Sequence, residues 1–163
     1  YSLGRSENAF WYRNQNEPYP SNQDQRHEIN FTNILKLGKW ELSSVLLFGS
    51  GQPYTPANPE FSIENDTVSF YDLERINAER LPSYKRLDLS AKYNFKIGKF
   101  TCESGLTLFN VLNYRNIKSR RYTVRYFFDE STAFEDDSDQ VEVIPLDTQL
   151  LGFTPNFFFK ISF

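Results

Sequence analysis

Apolar and polar residues alternate along much of this chain with the two-residue period that places successive side chains on opposite faces of a β-strand. The alternation is clearest from Arg86 to Phe95, where odd positions are apolar and even positions are polar or charged. Similar alternation elsewhere predicts six strands, at about 1–10, 26–37, 40–55, 81–96, 100–117 and 151–163. The predicted fold class is therefore all-β, an antiparallel meander.

The connections between these strands alternate in length. Residues 36–39 and 96–99 each contain a glycine that can supply a positive φ, which predicts tight turns. The other connections, at about 11–25, 56–80 and 118–150, are long and polar. Short periplasmic turns on one side and long extracellular loops on the other are typical of outer-membrane β-barrels. We therefore expect the whole chain to be part of a transmembrane barrel in a Gram-negative outer membrane.

In such a barrel the two faces of each strand meet different surroundings. The polar side chains expected to face the lumen are Arg26, Glu28, Arg86, Asp88, Lys92, Glu103 and Lys160. The apolar side chains expected to face lipid are Leu87, Leu89, Tyr93, Phe95, Phe157, Phe159 and Ile161. Trp40, Tyr93 and Tyr114 lie near predicted strand ends, where aromatic girdles meet the membrane interfaces.

Composition and charge argue against several other classes of protein. Aromatic residues make up 17% of the chain, which favours strands, and no stretch of 18 apolar residues predicts a membrane-spanning helix. The net charge of −3 gives no reason to expect nucleic acid as a partner. Cys102 is the one cysteine and His27 the one histidine, so the sequence predicts no enzyme, metal site or cofactor.

The long loops carry the residues with the best prospect of binding a ligand. Aromatic faces at Trp11, Tyr12, Tyr19 and Tyr54 could stack on sugars or other ligands, although interfacial anchoring explains them equally well. The acidic stretch 128–140 does not have the spacing of a calcium loop, so we interpret it as a solvated extracellular loop.

Four segments, in this order, resemble the C-terminal barrel segment of TonB-dependent receptors, particularly those of Bacteroidota. They read DQRH at 24–27, GSGQPYTP at 49–56, LPSYKRLDLS at 81–90 and LFNVLNYRNI at 108–117, and they are spread over nearly the whole chain. Lys85 departs from the family pattern, which often has histidine before Arg-Leu-Asp. The alternating Phe159, Ile161 and Phe163 resemble the C-terminal signal that the barrel-assembly machinery recognises. From this resemblance we expect Phe163 to be the native end of the chain.

The resemblance implies a barrel of about 22 strands with a plugged lumen, which takes up a scarce nutrient with energy from a TonB-type complex. Six strands cannot close such a barrel, so we expect the remaining strands and the plug to come from a longer chain or from other chains. Siderophores, oligosaccharides, cobalamin and peptides all fit as ligands. A non-transport barrel for assembly or adhesion, and a soluble β-sandwich binding module, are the alternative interpretations.

Overall fold

A computed structural model describes residues 1–58, 63–64, 67–68, 71–127 and 140–163. In this part of the chain the strands, in order, are β1 Ser2–Leu3, β2 Glu7–Asn8, β3 Tyr19–Pro20, β4 His27–Leu37, β5 Trp40–Gly49, β6 Pro53–Tyr54, β7 Ile63–Glu64, β8 Thr67–Val68, β9 Glu79–Arg80, β10 Tyr84–Ile97, β11 Phe100–Phe109, β12 Ile117–Phe127, β13 Gln140–Gln149 and β14 Thr154–Ser162. One 3-10 turn, Asn14–Asn16, accompanies them. None of the helical residues described forms a helix long and apolar enough to cross a membrane.

The main element is a six-stranded antiparallel sheet in the order β1-β4-β5-β10-β11-β14. The predicted all-β, antiparallel architecture is confirmed at this level. Tight turns at Gly38 and Gly98 join β4 to β5 and β10 to β11, and both glycines have a positive φ, near +60°. Because the side-chain period is two residues, these turns fix which residues share a face across the sheet.

The register aligns residues of like polarity in rows across the sheet. One row places Leu35, Leu42, Ala91, Leu106 and Phe157 side by side on a single face. All seven side chains that the sequence assigns to lipid lie on this apolar face. It is open in the described structure, with Phe157 67% exposed and Phe31 57% exposed.

The opposite, polar face carries paired charges. The Glu41 carboxylate lies 3.1 Å from the Lys92 ammonium and 3.7 Å from that of Lys36, and Arg86 contacts Asp88 at 2.9 Å. The register also places on this face every side chain that the sequence assigns to the lumen except Arg26, which precedes β4.

Phe158 is the one large aromatic residue in β14 that breaks the alternation, and it lies on the polar face opposite Gly105. A Cβ atom at Gly105 would lie 2.3 Å from a carbon of the Phe158 ring. The glycine inside β11 therefore makes room for the ring.

The predicted strand at 1–10 is wrong beyond its first residues. Ser2–Leu3 pairs with β4, and the last backbone hydrogen bond on this path runs from the Gly4 amide to the Arg26 carbonyl, at 3.1 Å. The chain then leaves the sheet, and the Ser6 amide donates to the buried Asp24 carboxylate instead of to a strand, at 2.8 Å. Glu7–Asn8 pairs instead with Tyr19–Pro20.

The predicted loop at 118–150 is also wrong over most of its length. Strands β12 and β13 pair as an antiparallel hairpin, with a register irregularity between Ile117 and Ser119. The β-branched and aromatic residues in 122–127 and 141–144 favour strands in spite of their charged neighbours. This hairpin follows β11 and precedes β14, so it extends from the loop end of the last strand pair.

Other predicted strands end earlier than the sequence suggests. Strand β5 stops at Gly49 rather than near residue 55, and β11 stops at Phe109 rather than near residue 117. Beyond β5, the short strand β6 pairs with β9, and within the loop predicted at 56–80 β7 pairs with β8. The loop end therefore contains more local structure than a set of irregular loops.

Candidate ligand-binding groove

Three asparagines, Asn110, Asn113 and Asn116, fix the loops above β11. Asn110 is fully buried, and its amide nitrogen donates to the carbonyls of Tyr114, at 2.9 Å, and of Leu151, at 3.0 Å. Asn110 and Asn113 adopt a positive φ, which asparagine tolerates better than most residues. The asparagine-rich segment 110–116 is therefore a structural connector between β11 and the hairpin.

Asn116 attaches this connector to β10. Its side-chain oxygen accepts from the Lys85 amide at 2.9 Å, and its side-chain nitrogen donates to the Lys85 carbonyl at 2.8 Å. The amide thus satisfies both backbone groups of Lys85, as a neighbouring strand would do. Asp88 adds a second attachment because its carboxylate accepts from the backbone amide of Asn110, at 2.9 Å.

A close backbone contact joins the segments that follow β5 and precede β10. A Cβ atom at Gly51 would lie 1.6 Å from the Leu81 carbonyl oxygen, so no larger residue fits there. The Leu81 amide donates to the Gln52 carbonyl at 2.9 Å, and Arg80 donates to the Gly51 carbonyl, also at 2.9 Å.

Asp24 is the charged centre of this region, and it is 1% exposed. Its carboxylate accepts hydrogen bonds from Arg80, from Arg26 at 3.1 Å and from the Ser6 amide. Burial alone would raise the pKa of Asp24, but the hydrogen bonds from Ser6, Arg80 and Arg26 outweigh burial and lower this pKa to about 2. Arg26, which the sequence assigns to the lumen, thus acts here as a partner of a buried carboxylate.

The loops that these contacts hold together border an open groove of about 950 Å³ at the loop end of the molecule. Ligand pockets in proteins usually range from about 300 to 1,000 Å³, so its size suits a ligand of several rings. Aromatic rings and neutral polar groups make up most of the wall. The aromatic members are Phe10, Tyr12, Tyr19, Tyr54 and Tyr71.

Three of the four loop aromatics predicted from the sequence come together in this groove. Tyr12, Tyr19 and Tyr54 line it, although Tyr19 is itself buried. Trp11 does not line it; its indole is 84% exposed and contacts the Tyr12 ring edge-on, with centroids 5.4 Å apart. The structure therefore separates Trp11 from the other three.

An ion pair at the base of the hairpin forms one wall of the groove. Arg120 donates to both carboxylate oxygens of Asp147, at 2.7 and 2.9 Å, and to the Tyr54 hydroxyl at 3.1 Å. Tyr54 in turn donates to Glu79 at 2.5 Å. The hydrogen bonds from Arg120 lower the pKa of Asp147, so the pair stays charged over the physiological range.

The groove also contains residues that the sequence does not single out. Asn77 is buried, has a positive φ, and donates to the Pro20 carbonyl at 2.7 Å, which joins two loops far apart in the chain. Phe10 falls within the strand predicted at 1–10, and Arg120 within the loop predicted at 118–150. An asparagine in a polar loop is a usable signal for a positive φ, but sequence does not reveal which loops meet.

His27 does not line the groove. The His27 ring nitrogen Nδ1 lies 3.0 Å from the Tyr1 hydroxyl. In the described ranges, no three His, Cys, Asp or Glu side chains are grouped so as to hold a metal ion. The acidic stretch, apart from Gln140, lies outside the described residues.

Comparisons with known proteins do not identify the chain. No protein-family model matches it, and no curated protein and no solved structure is significantly similar.

Proposed function

We propose that this chain is part of an outer-membrane β-barrel of the TonB-dependent receptor type, which takes part in energised nutrient uptake. The observation that carries the proposal is the open apolar face of the six-stranded sheet. Among the described hydrophobic residues, Tyr19, Leu81 and Cys102 alone are buried, while Phe157, Phe31 and many others stay exposed. Soluble monomers rarely expose a continuous apolar surface of this extent.

Lipid is the covering that best fits this face. Its main strands have 9 to 14 residues, and a strand tilted in a barrel needs about 9–11 residues to cross a bilayer. Trp40 and Tyr93 lie next to each other at the turn end, with ring centroids 4.7 Å apart, where an aromatic girdle would meet the membrane interface. The polar face, with Glu41, Lys92, Arg86 and Asp88 in ion pairs, suits a wet lumen.

The two ends of the sheet differ in the way expected for a barrel. Tight glycine turns occupy one end, and the groove and hairpin occupy the other. This asymmetry supports periplasmic turns and extracellular loops. A binding groove at the extracellular end supports a receptor over a barrel for assembly.

The edges of the sheet support a larger assembly. In the described sheet, β4 has a neighbour on its outer side at His27 and Glu28 alone, and β14 has no outer neighbour. Open edges in lipid would leave backbone groups unsatisfied, so further strands must continue the sheet on both sides. The proposed partners are therefore the remaining barrel strands and a plug, the energising complex, and the assembly machinery at Phe159, Ile161 and Phe163.

Adjacent residues on opposite faces of β14 give a direct test. Phe157→Arg should destabilise the intact protein in lipid vesicles by about 2–4 kcal/mol, the cost of arginine on the lipid face of a barrel near the bilayer centre. Asn156→Arg, on the polar face, is the matched control and should cost less than about 1 kcal/mol. Urea unfolding in vesicles measures both.

Three outcomes would contradict parts of the proposal. Equal destabilisation by the two arginines would contradict the assignment of the Phe157 face to lipid and the Asn156 face to the lumen. An intact protein that is soluble and monodisperse without detergent would favour a soluble β-sandwich. An intact chain in the outer membrane without a plug domain ahead of Tyr1 would favour a non-transport barrel.

A further inference from the structure

Among the described residues, the charged side chains that line the groove are all cationic. Its lining includes Arg13, Lys118 and Arg120 but no aspartate or glutamate among the described residues. Asp147, which lies behind Arg120, neutralises that guanidinium through two hydrogen bonds. Arg13 and Lys118 are exposed, and neither forms an ion pair with a described residue.

Exposed aromatic rings lie beside Arg13 and elsewhere in the groove. Tyr12 is 60% exposed, and the Arg13 guanidinium lies 5.8 Å from the centre of its ring. Phe10 packs against Tyr12 with ring centroids 5.6 Å apart, and Tyr71 lines the groove as a further exposed ring. Such rings offer flat apolar surface to the faces of a ligand's rings.

The segment that carries Arg13 is held in an unusual backbone conformation. Asn14, Gln15 and Asn16 all have a positive φ, and Gln15 lies in the left-handed helical region at φ 53° and ψ 31°. The left-handed region is unfavourable for most residues with a Cβ atom, here above all for Gln15, so the surrounding contacts must hold this turn in place. Asn14 contributes by donating to the Glu17 carbonyl at 3.1 Å.

We infer that the groove binds a small anionic ligand that presents ring faces, with its acidic groups at Arg13 and Lys118 and its rings on Phe10, Tyr12 and Tyr71. A neutral ligand would leave both cations unused, and a cationic ligand would be repelled. The inference deepens the proposed receptor function and rests on it, since the groove meets an external ligand if the loops are outside the cell. Acidic saccharides and aromatic acids share the required chemistry.

Calorimetric titration of the intact protein in detergent tests this inference. The probes are trigalacturonic acid, 2,3-dihydroxybenzoate and the neutral trisaccharide maltotriose. At least one acidic probe should bind, and it should bind more weakly as salt is raised because the cations are exposed. The acid that binds identifies the ligand source. Maltotriose should bind at least about tenfold more weakly, because hydrogen bonds that involve charged groups are stronger than those between neutral groups.

Matched lysine variants show whether binding occurs in the groove. Lys118→Gln should weaken acidic-probe binding about tenfold, the equivalent of about 1.4 kcal/mol. Lys99→Gln, which removes an equal charge near the tight turn beside Phe100, should leave binding unchanged. Arg13→Gln should act as Lys118→Gln does.

The inference is overturned if no acidic probe binds, if maltotriose binds as tightly as the acids, or if the Lys118 and Lys99 variants behave alike. These results are independent of the membrane test with Phe157 and Asn156. A protein that proved to be soluble would still give this titration, so failure of the receptor proposal and failure of the ligand inference are distinguishable.

Discussion

Removing the side-chain amide of Asn110 should be among the most destabilising single changes at the loop end. This side chain is fully buried and makes three hydrogen bonds with backbone groups, two to Tyr114 and one to Leu151. In Asn110→Ala the loss of each of the three hydrogen bonds should cost about 1 kcal/mol, and the strain of alanine at a φ of 51° should add about 1 kcal/mol. The expected loss in the free energy of unfolding is about 4 kcal/mol.

A glycine variant separates the two contributions. Asn110→Gly loses the same hydrogen bonds but accepts the positive φ, so it should cost about 3 kcal/mol, roughly 1 kcal/mol less than alanine. Urea unfolding of the intact protein in detergent, followed by tryptophan fluorescence, measures both variants. If Asn110→Ala lies within about 0.5 kcal/mol of the unsubstituted protein, as surface substitutions do, the connector does not stabilise the fold as described.

Two further predictions concern the segments that surround Asp24. Gly51→Ala should destabilise the protein by roughly 3 kcal/mol or more, because the new Cβ atom would overlap the Leu81 carbonyl. Gly38→Ala is the control in the same unfolding assay. Gly38 has a φ of +60° but open space around it, so this variant should cost about 1 kcal/mol. Since the pKa of Asp24 falls from 3.8 to about 2 on folding, its carboxylate should contribute about 2.5 kcal/mol above pH 4, which is lost as pH falls toward 2. Unfolding curves between pH 6 and pH 2 should show this loss, and Asp24→Asn should flatten it; an unchanged pH dependence in that variant would contradict the assignment.

The sheet could be predicted from the sequence because a strict local rule governs it. Alternation with a period of two assigns each residue of β10 to a face, and Gly38 and Gly98 fix the turns that set the register. Phe158 breaks the alternation, and the local sequence does not explain why, because the space for its ring comes from Gly105 on the neighbouring strand. Even there, a glycine inside a strand is a signal that something approaches closely.

The loop end could be predicted in part. Aromatic residues in polar loops indicated a ligand surface, and Tyr12, Tyr19 and Tyr54 do meet, but Trp11 lies outside the groove. The charge of the groove was not predicted, because it depends on which loops meet: Arg13 and Lys118 line the groove, whereas Asp147 does not. Arg120 carries a partner 27 residues away, and no local pattern encodes that pairing.

The distribution of buried groups connects the fold with the proposed receptor function. The buried polar residues Asp24, Asn77, Asn110 and Asn116 all lie at the loop end, where each is satisfied by hydrogen bonds. The strands of the sheet contribute no comparable core, since Cys102 is the one hydrophobic side chain of these strands that the structure describes as buried. The loops are held together by buried hydrogen bonds. Water competes for hydrogen bonds that are exposed, so burial makes these contacts more effective. A sheet surrounded by lipid needs no apolar core, because its side chains are already in an apolar environment. Under the proposed receptor function, the loop end is held by its own polar contacts, and lipid covers the apolar face of the strands.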